Sequence, residues 1–507
     1  MFCSGDKLKS NILKIGKIIF YLFAILLFVY AIAYKTDVWL CEPGFFGDEG
    51  ALITNLQNRN FLQLFLPLGE NQCCPPFIMC FFKLIYMIFG LNEAALRFLP
   101  YISGVASLIL AFFVGEKVFK FRSTTLAFLS FFAFSNQIIY YSQEFKQYSS
   151  DVFFALLTLY VFLLFKDKIS TNLRALCFGV FLGLTGFVSF PAEFVVAPIS
   201  FYFLFEYLKK KDYKRLLCMA LPYILLTAVL FFLMVLKTLK GEMLQMEMWV
   251  DGCDTFRSFE SLKYLCDYLF GWFCFLPLIA MFLTGVVYLA VKERFLLYCL
   301  FAPIIVNIIS GYCHLYPFTA TRVILWVIPF VLLITFKSFD IFRTKNEILN
   351  IIFEILIFVF AIYGFWGTNS LKPSKMNSEL PYYYYRSNAK EYVKKLDEKD
   401  VKPNDVIFVD CQGEGIFKVY DQKSKYEDNV IYQFYQTAVE YYNPDLSKTK
   451  WSLDDFPAGT HIWFYNSKIY PDEVLVDEVC QWIDENAKIL SKESDVYGDL
   501  LYVKKIK

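Results

Sequence analysis

Three short polar stretches in an otherwise apolar chain hold side chains that could do chemistry. Residues 45–50, FFGDEG, set the adjacent carboxylates Asp48 and Glu49 between Gly47 and Gly50, shortly beyond the first strongly apolar run. Residues 140–151, YYSQEFKQYSSD, hold Glu144, Lys146 and Tyr148; residues 314–322, HLYPFTATR, hold His314, Tyr316 and Arg322. A carboxylate can take the proton of an attacking hydroxyl. Cations can hold a departing anion, and a guanidinium does so with two oxygens at once. Each group also has an ordinary reading. GDE is a good N-terminal cap for a helix through GALITNLQNR, Glu144 and Lys146 fit an interfacial charge pair, and the tyrosines fit an interfacial belt. Glu93 and Arg97, four apart, read as a structural pair.

The elements that must position these residues cross a membrane. Hydrophobic residues make up 57% of the 507 and aromatics 20%, arranged in repeated apolar runs of the length that spans a bilayer. A net charge of +1 gives no reason to expect nucleic acid as a partner. The run from Ile18 to Tyr34 follows Lys7, Lys9, Lys14 and Lys17 without a small-residue cleavage site, and reads as a retained first helix. Lysine and arginine gather in six places: the N-terminus, GEKVFKFRS (115–123), KDKISTNLR (166–174), EYLKKKDYKR (206–215), KER (292–294) and KSFDIFRTK (337–345). Basic segments stay cytoplasmic. Between them lie apolar runs near 18–34, 98–114, 124–141, 151–165, 173–190, 192–205, 216–236, 271–291, 295–312, 323–336 and 347–366. The expected fold is therefore a multi-pass α-helical membrane protein with about eleven transmembrane helices.

PPFIMCFFKLIYMIFG (75–90) is not counted as a span, because a crossing there would put every later basic connector outside. Its two prolines, Lys83 and short length suit a helix at the outer interface, within the first external loop. With the N-terminus inside, Asp48 and Glu49 fall in the first external loop, 140–151 in the second, SFPAE (189–193) in the third and 314–322 in the fifth. Ionisable groups gathered on one face of a membrane point to a functional site. The fourth loop, about 237–263, is mixed in charge and reads as a solvated surface. Many of the fourteen cysteines lie in apolar runs; Cys41 could bridge to Cys73 or Cys74 if their shared loop meets an oxidising compartment. No zinc spacing occurs among them.

Beyond residue 366 the chain turns polar and its periodicity changes. A helix is expected over 388–401, strands over 405–410, 460–466 and 498–506, and a second helix over 471–490. Strands alternating with helices give a small soluble α/β domain. The expected division is 1–366, transmembrane, and 367–507, extracytoplasmic. PYYYYR (381–386) reads as the linker, and CQGEG (411–415) is too weak a pattern to carry a nucleotide site.

The acidic pair after the first helix, the following PPF, LNEAALRFLP before the second span, YYSQEFKQY and YPFTATR together resemble the GT-C glycosyltransferases. Within that superfamily the likeness is to the protein O-mannosyltransferases and the lipid A aminoarabinose transferase. It covers most of residues 1–340. The resemblance implies transfer of a hexose or pentose from a polyprenyl-phosphate donor to a hydroxyl on a lipid, glycan or protein acceptor, at the outer face of the cell (inner) membrane. It places Asp48 as the base with Glu49 beside it; from their own chemistry Lys146, His314 and Arg322 are the available cations for the phosphate, Tyr148 could stack on a sugar, Tyr316 could bond the phosphate, and Glu144 is a further substrate-binding candidate. Two positions depart from the family: Cys74 stands where relatives often carry His or Lys, and Lys146 where many carry Arg.

The chemistry fits one carboxylate. A sugar on phosphate has a leaving group that departs as a stabilised anion, so the second, acid carboxyl of hydrolytic glycoside cleavage is not required. What is required is positive charge on that phosphate, and Arg322 is the preferred source. No metal set is spelled out, and a divalent ion is left open. The competing reading is a transporter or flippase of a lipid-linked substrate; such proteins carry internal repeats and midplane charges, which this sequence does not show.

Overall fold

The computed structural model describes residues 3–40, 44–45, 47–70, 72–235, 256–270, 275–370, 389–399, 401–409, 413–421, 425–426, 428–432, 456–467, 477–494 and 498–507. Cys41, the PYYYYR linker, most of the fourth-loop charges and the first two residues of CQGEG lie outside them. The chain forms two units, one of Met1–Leu40 and Phe61–Lys372, the other of Cys41–Asn60 and Pro373–Lys507. The helix bearing Asp48 and Glu49 thus groups with the C-terminal segment, although it belongs in sequence to the first loop.

In the first unit six helices among the described residues are long and apolar enough to cross a membrane: Ile18–Leu40, Phe98–Val118, Tyr148–Phe165, Tyr213–Met234, Arg294–Tyr312 and Glu347–Gly364. The other expected spans fall on helices that miss that standard for visible reasons. Residues 124–141 are split into Arg122–Ala133 and Asn136–Tyr141 around Phe134 and Ser135. Ala192–Lys210 carries Glu193, Glu206, Lys209 and Lys210 and has Pro198 inside it. Asn172–Val188 and Leu276–Lys292 are apolar but shorter. Residues 323–336 become a short turn, Arg322–Ile324, and the helix Val327–Lys337. The PPF segment is the helix Pro76–Phe89, opened by Pro75 and Pro76 and stopped by Gly90 at φ +65°. Its 14 residues, at about 1.5 Å each, reach roughly 21 Å, less than the ~30 Å of a bilayer core.

Close approach of backbones holds the bundle, as expected where lipid removes the hydrophobic drive between helices. A Cβ on Gly179 would meet the Met219 carbonyl oxygen at 2.0 Å, and one on Gly183 would meet the Leu226 Cβ at 2.8 Å. Small residues four apart therefore seat Asn172–Val188 directly on Tyr213–Leu230. The middle of the unit is Val327–Lys337, buried at every residue. At one end, three basic connectors meet. Lys337 Nζ lies 2.6 Å from Asp340 and 3.0 Å from Glu293, while Lys120 lies 2.9 Å from Glu293 and donates its backbone N–H to Asp340 at 3.1 Å. Glu354 accepts from the N–H groups of Arg122 and Ser123. Burial pushes the Glu293 carboxyl up, but its bonds to Lys120 and Lys337 outweigh that and hold it below the usual range. Burial raises Asp340 despite the same lysines.

In the second unit five strands form one sheet in the order β2-β1-β3-β5-β4: β1 Val406–Val409, β2 Val430–Tyr432, β3 His461–Ser467, β4 Ala487–Ser494 and β5 Gly498–Lys505. β1 pairs in parallel with β2 and β3; β5 runs antiparallel to β3 and β4. Phe408, Ile462, Phe464, Leu501 and Val503 fill one core cluster with Ile483 of the helix Asp477–Asn486. That helix ends four residues short of the expected 490, because Ala487–Ser494 leaves it to pair with β5. Strands β2 and β4 were not expected from sequence.

Candidate functional site

The first unit draws its polar loops onto one segment. The helix Asn136–Tyr141 stops where Ser142 donates its N–H to the Ile139 carbonyl at 3.2 Å and its Oγ to the same oxygen at 2.6 Å. Residues 142–146 then run buried, with Glu144 only 1% exposed and Lys146 3%. Three supports fix this turn. Lys35, on the first helix and fully buried, donates to the Ile138 carbonyl and Ser142 Oγ at 3.1 Å each. Gly104 leaves so little room that an added Cβ would meet the Ser142 Cβ at 2.7 Å. The Phe145 ring packs on Phe82, centroids 4.3 Å apart.

Onto this turn come residues from the other loops. Arg322 Nη1 lies 3.9 Å from Glu144 Oε1, and its guanidinium carbon lies 5.5 Å from the centre of the Tyr148 ring. Lys146 donates through Nζ to Gln72 Oε1, and Gln147 donates to the Cys73 carbonyl at 3.0 Å. Ser189, from the SFPAE segment, donates its Oγ to Asp151 at 2.6 Å and accepts the Ala192 N–H at 3.2 Å. Tyr316 donates to the Val323 carbonyl at 3.3 Å and meets the Phe194 ring edge to face. Arg322 is therefore brought to Glu144 and Tyr148, while Lys146, on the same turn, reaches Gln72. His314 sits exposed at the turn after Arg294–Tyr312, at a left-handed φ of +55° that a side chain adopts only with strain.

The electrostatics fit a site that handles an anion rather than one built around a nucleophilic sulfur. Burial, with Asp151 against Lys146, pushes the Cys73 thiol up to about 12, and burial carries Cys74 well above its usual value. Both are free thiols that stay protonated. Burial, then Asp151, Tyr148 and Cys73, keep the Tyr316 phenol protonated as a donor. Among the described residues no group of three or more His, Cys, Asp or Glu could hold a metal ion.

Asp48 and Glu49 occupy the first turn of the helix Gly47–Asn58 in the second unit, where a helix N-terminus favours negative charge. Glu49 is fully buried and Asp48 partly exposed. The face of Gly50 is taken by Ile416, whose Cδ1 would lie 2.6 Å from an added Cβ. Sequence reasoning missed Lys35, Gln72, Gln147 and the Ser189–Asp151 bond. All but Lys35 lie in loops expected on one face, and that was their only signal.

The family model for dolichyl-phosphate-mannose-protein mannosyltransferase matches residues 74–237. Two crystal structures of ArnT from Cupriavidus metallidurans share the fold. The apo form aligns with a TM-score of 0.54 and the form bound to undecaprenyl phosphate with 0.53; each is 11% identical and covers 94% of this chain and 97% of the other. No curated protein matches the chain by sequence. The resemblance read from the loop motifs is thus met by a family-model match over the second to seventh expected spans, and by a fold shared with ArnT over nearly the whole chain.

Proposed function

We propose that this chain is a GT-C glycosyltransferase that moves a sugar from polyprenyl phosphate to an acceptor hydroxyl at the outer face of the cell membrane. The observation that carries the reading is that Arg322, from one loop, meets Glu144 and Tyr148 of another, on a turn whose Lys146 reaches Gln72 of a third, in a fold shared with a protein crystallised on undecaprenyl phosphate. Cations held by neighbouring side chains, Lys146 buried and Arg322 partly so, are what a departing phosphate needs, since fixed charge counts most where water is excluded.

In this reading the acceptor oxygen attacks the anomeric carbon and forms the new glycosidic bond. The bond from that carbon to the phosphate oxygen breaks, and its electron pair leaves with the polyprenyl phosphate. The acceptor proton passes to Asp48, and the configuration inverts. Glu49 orients Asp48. Arg322 and Lys146 hold the phosphate, with Glu144 aiming the guanidinium and the Tyr148 ring beneath it; Tyr316 and His314 contribute further donors to the substrate. The N-terminus is cytoplasmic and residues 367–507 extracytoplasmic. The test uses membranes containing the chain and a polyprenyl phosphate bearing a radiolabelled sugar. A transferase moves label to an acceptor and releases polyprenyl phosphate, whereas a flippase relocates the labelled lipid intact and would overturn the proposal.

A further inference from the structure

The segment that carries Asp48 and Glu49 is built onto the C-terminal unit. The Phe45 N–H donates to the Tyr420 hydroxyl at 2.8 Å, and the two rings stack with centroids 6.2 Å apart. One turn further on, Gly50 receives Ile416, with Gly415 O next nearest at 3.5 Å. Glu49, Gly50, Leu52, Ile53 and Leu56 are all buried, so the inner face of Gly47–Asn58 is fully covered. Ile416 and Tyr420 both lie on the short helix Glu414–Tyr420, which follows β1, and Ile416 and Phe417 are buried with them.

We infer that the helix Glu414–Tyr420 is a positioning element for the acidic pair: Ile416 in the notch of Gly50, and Tyr420 on Phe45, set the orientation of the first turn that bears Asp48. The inference rests on the reading of Asp48 as base. It assigns the C-terminal segment a part in the transfer step. The physical basis is the steepness of catalysis in geometry: a misplacement of about 1 Å costs on the order of 10²-fold in rate. An added Cβ at Gly50 would meet the outer end of the Ile416 side chain, Cδ1 at 2.6 Å and Cγ1 at 3.3 Å, which a rotamer change can relieve, so it takes a branched residue at position 50 to displace the helix. Tyr420 acts on the entry to the helix, where a single hydroxyl accepts the N–H of the residue just before the glycine-flanked turn.

The test is a cycle of Gly50→Val, Ile416→Ala and the double variant in the full-length chain, with Tyr420→Phe and Asp48→Asn alongside. Two readouts are taken: steady-state transfer from a radiolabelled polyprenyl-phosphate sugar, and hydrogen exchange of residues 47–58. Gly50→Val is expected to lower kcat by about 10- to 100-fold with the donor KM unchanged, and to speed exchange across the helix. Ile416→Ala, by making room, is expected to restore much of both in the double variant. Tyr420→Phe is expected to lower kcat several-fold and to loosen the first turn. Unchanged exchange in Gly50→Val and Tyr420→Phe would overturn the docking. Faster exchange with wild-type kcat, while Asp48→Asn is inactive, would overturn the positioning role and leave the base assignment standing. A wild-type rate in Asp48→Asn would instead overturn the base assignment, and with it the positioning of that base.

Discussion

The Arg322 guanidinium stands 3.9 Å from the Glu144 carboxylate and 5.5 Å from the centre of the Tyr148 ring, with Glu144 itself buried. An arginine so placed is aimed by its neighbours. Arg322→Ala is expected to lower transfer by about 10²- to 10³-fold, the usual loss when one preorganised donor to developing charge is removed. Arg322→Lys should recover only part, because an ammonium cannot reproduce the two-oxygen grip. Glu144→Gln should cost less than Arg322→Ala. Kinetics with a labelled polyprenyl-phosphate donor check the ranking, and equal rates for Arg322→Ala and the parent chain would remove Arg322 from the site.

Asp48→Asn keeps the size of the side chain but cannot take a proton at neutral pH. Loss of a placed general base costs about 10²- to 10⁴-fold, so kcat should fall in that range while donor binding, read by equilibrium dialysis with labelled lipid, stays near that of the parent. Glu49→Gln should cost less. A parent-like rate in Asp48→Asn would move the base assignment to Glu49 or Glu144.

How much of this was legible beforehand depends on distance along the chain. The long helices announce themselves through apolar runs, and the ordering of basic connectors anticipated that Lys120, Glu293, Lys337 and Asp340 would share one end. The break at Phe134 and Ser135 was hidden, because an apolar run continues on both sides of it. Strand β4 was hidden because AKILSKES is an edge strand paired only to β5, and its first apolar residues extend the period of the preceding helix. At the site, residue types pointed to Glu144, Tyr148 and Arg322, since charge and aromaticity in an apolar chain stand out. The supports did not stand out. Lys35 reads as a basic residue ending an apolar run, and only the fold places it under Ser142. The meeting of Phe45 with Tyr420 joins positions 375 apart, beyond any periodicity.

The cluster at the connector end makes a pH-dependent contribution whose sign can be worked out. Glu293 is held below its usual range by Lys120 and Lys337. A depressed carboxyl stabilises the fold above its unfolded value, and that contribution is lost as pH falls through the folded one. Asp340 is raised by burial and acts in the opposite direction. Glu293→Gln should therefore flatten the acid side of the thermal-midpoint profile in detergent, and an unchanged acid limb would exclude this role. Lys337→Met should be harsher, since Lys337 is 1% exposed and its loss takes the one ammonium in contact with the Asp340 carboxylate among the described residues. Removing one partner of a buried pair costs about 3 kcal/mol at the lower end of the usual range, and the lower end applies because the Lys120 N–H still serves Asp340.

Sidedness gives the last test, and the shared outer face depends on it. Lys146 and Gln147 reach Gln72 and Cys73, Arg322 reaches Glu144, and Ser189 reaches Asp151, so four polar loops of the first unit meet at one place. The cation cluster forms around the basic connectors instead. If basic connectors are cytoplasmic, the loops lie outside. On a background with accessible native cysteines replaced, cysteine at exposed Leu62 or Lys394 should react with a membrane-impermeant maleimide in intact cells, and cysteine at exposed Lys211 only after permeabilisation. The opposite pattern would turn the protein over, place Asp48 and Arg322 in the cytoplasm, and end the proposal of transfer at the outer face. Labelling of Leu62 and Lys394 from opposite sides would break the assignment of both to a single compartment.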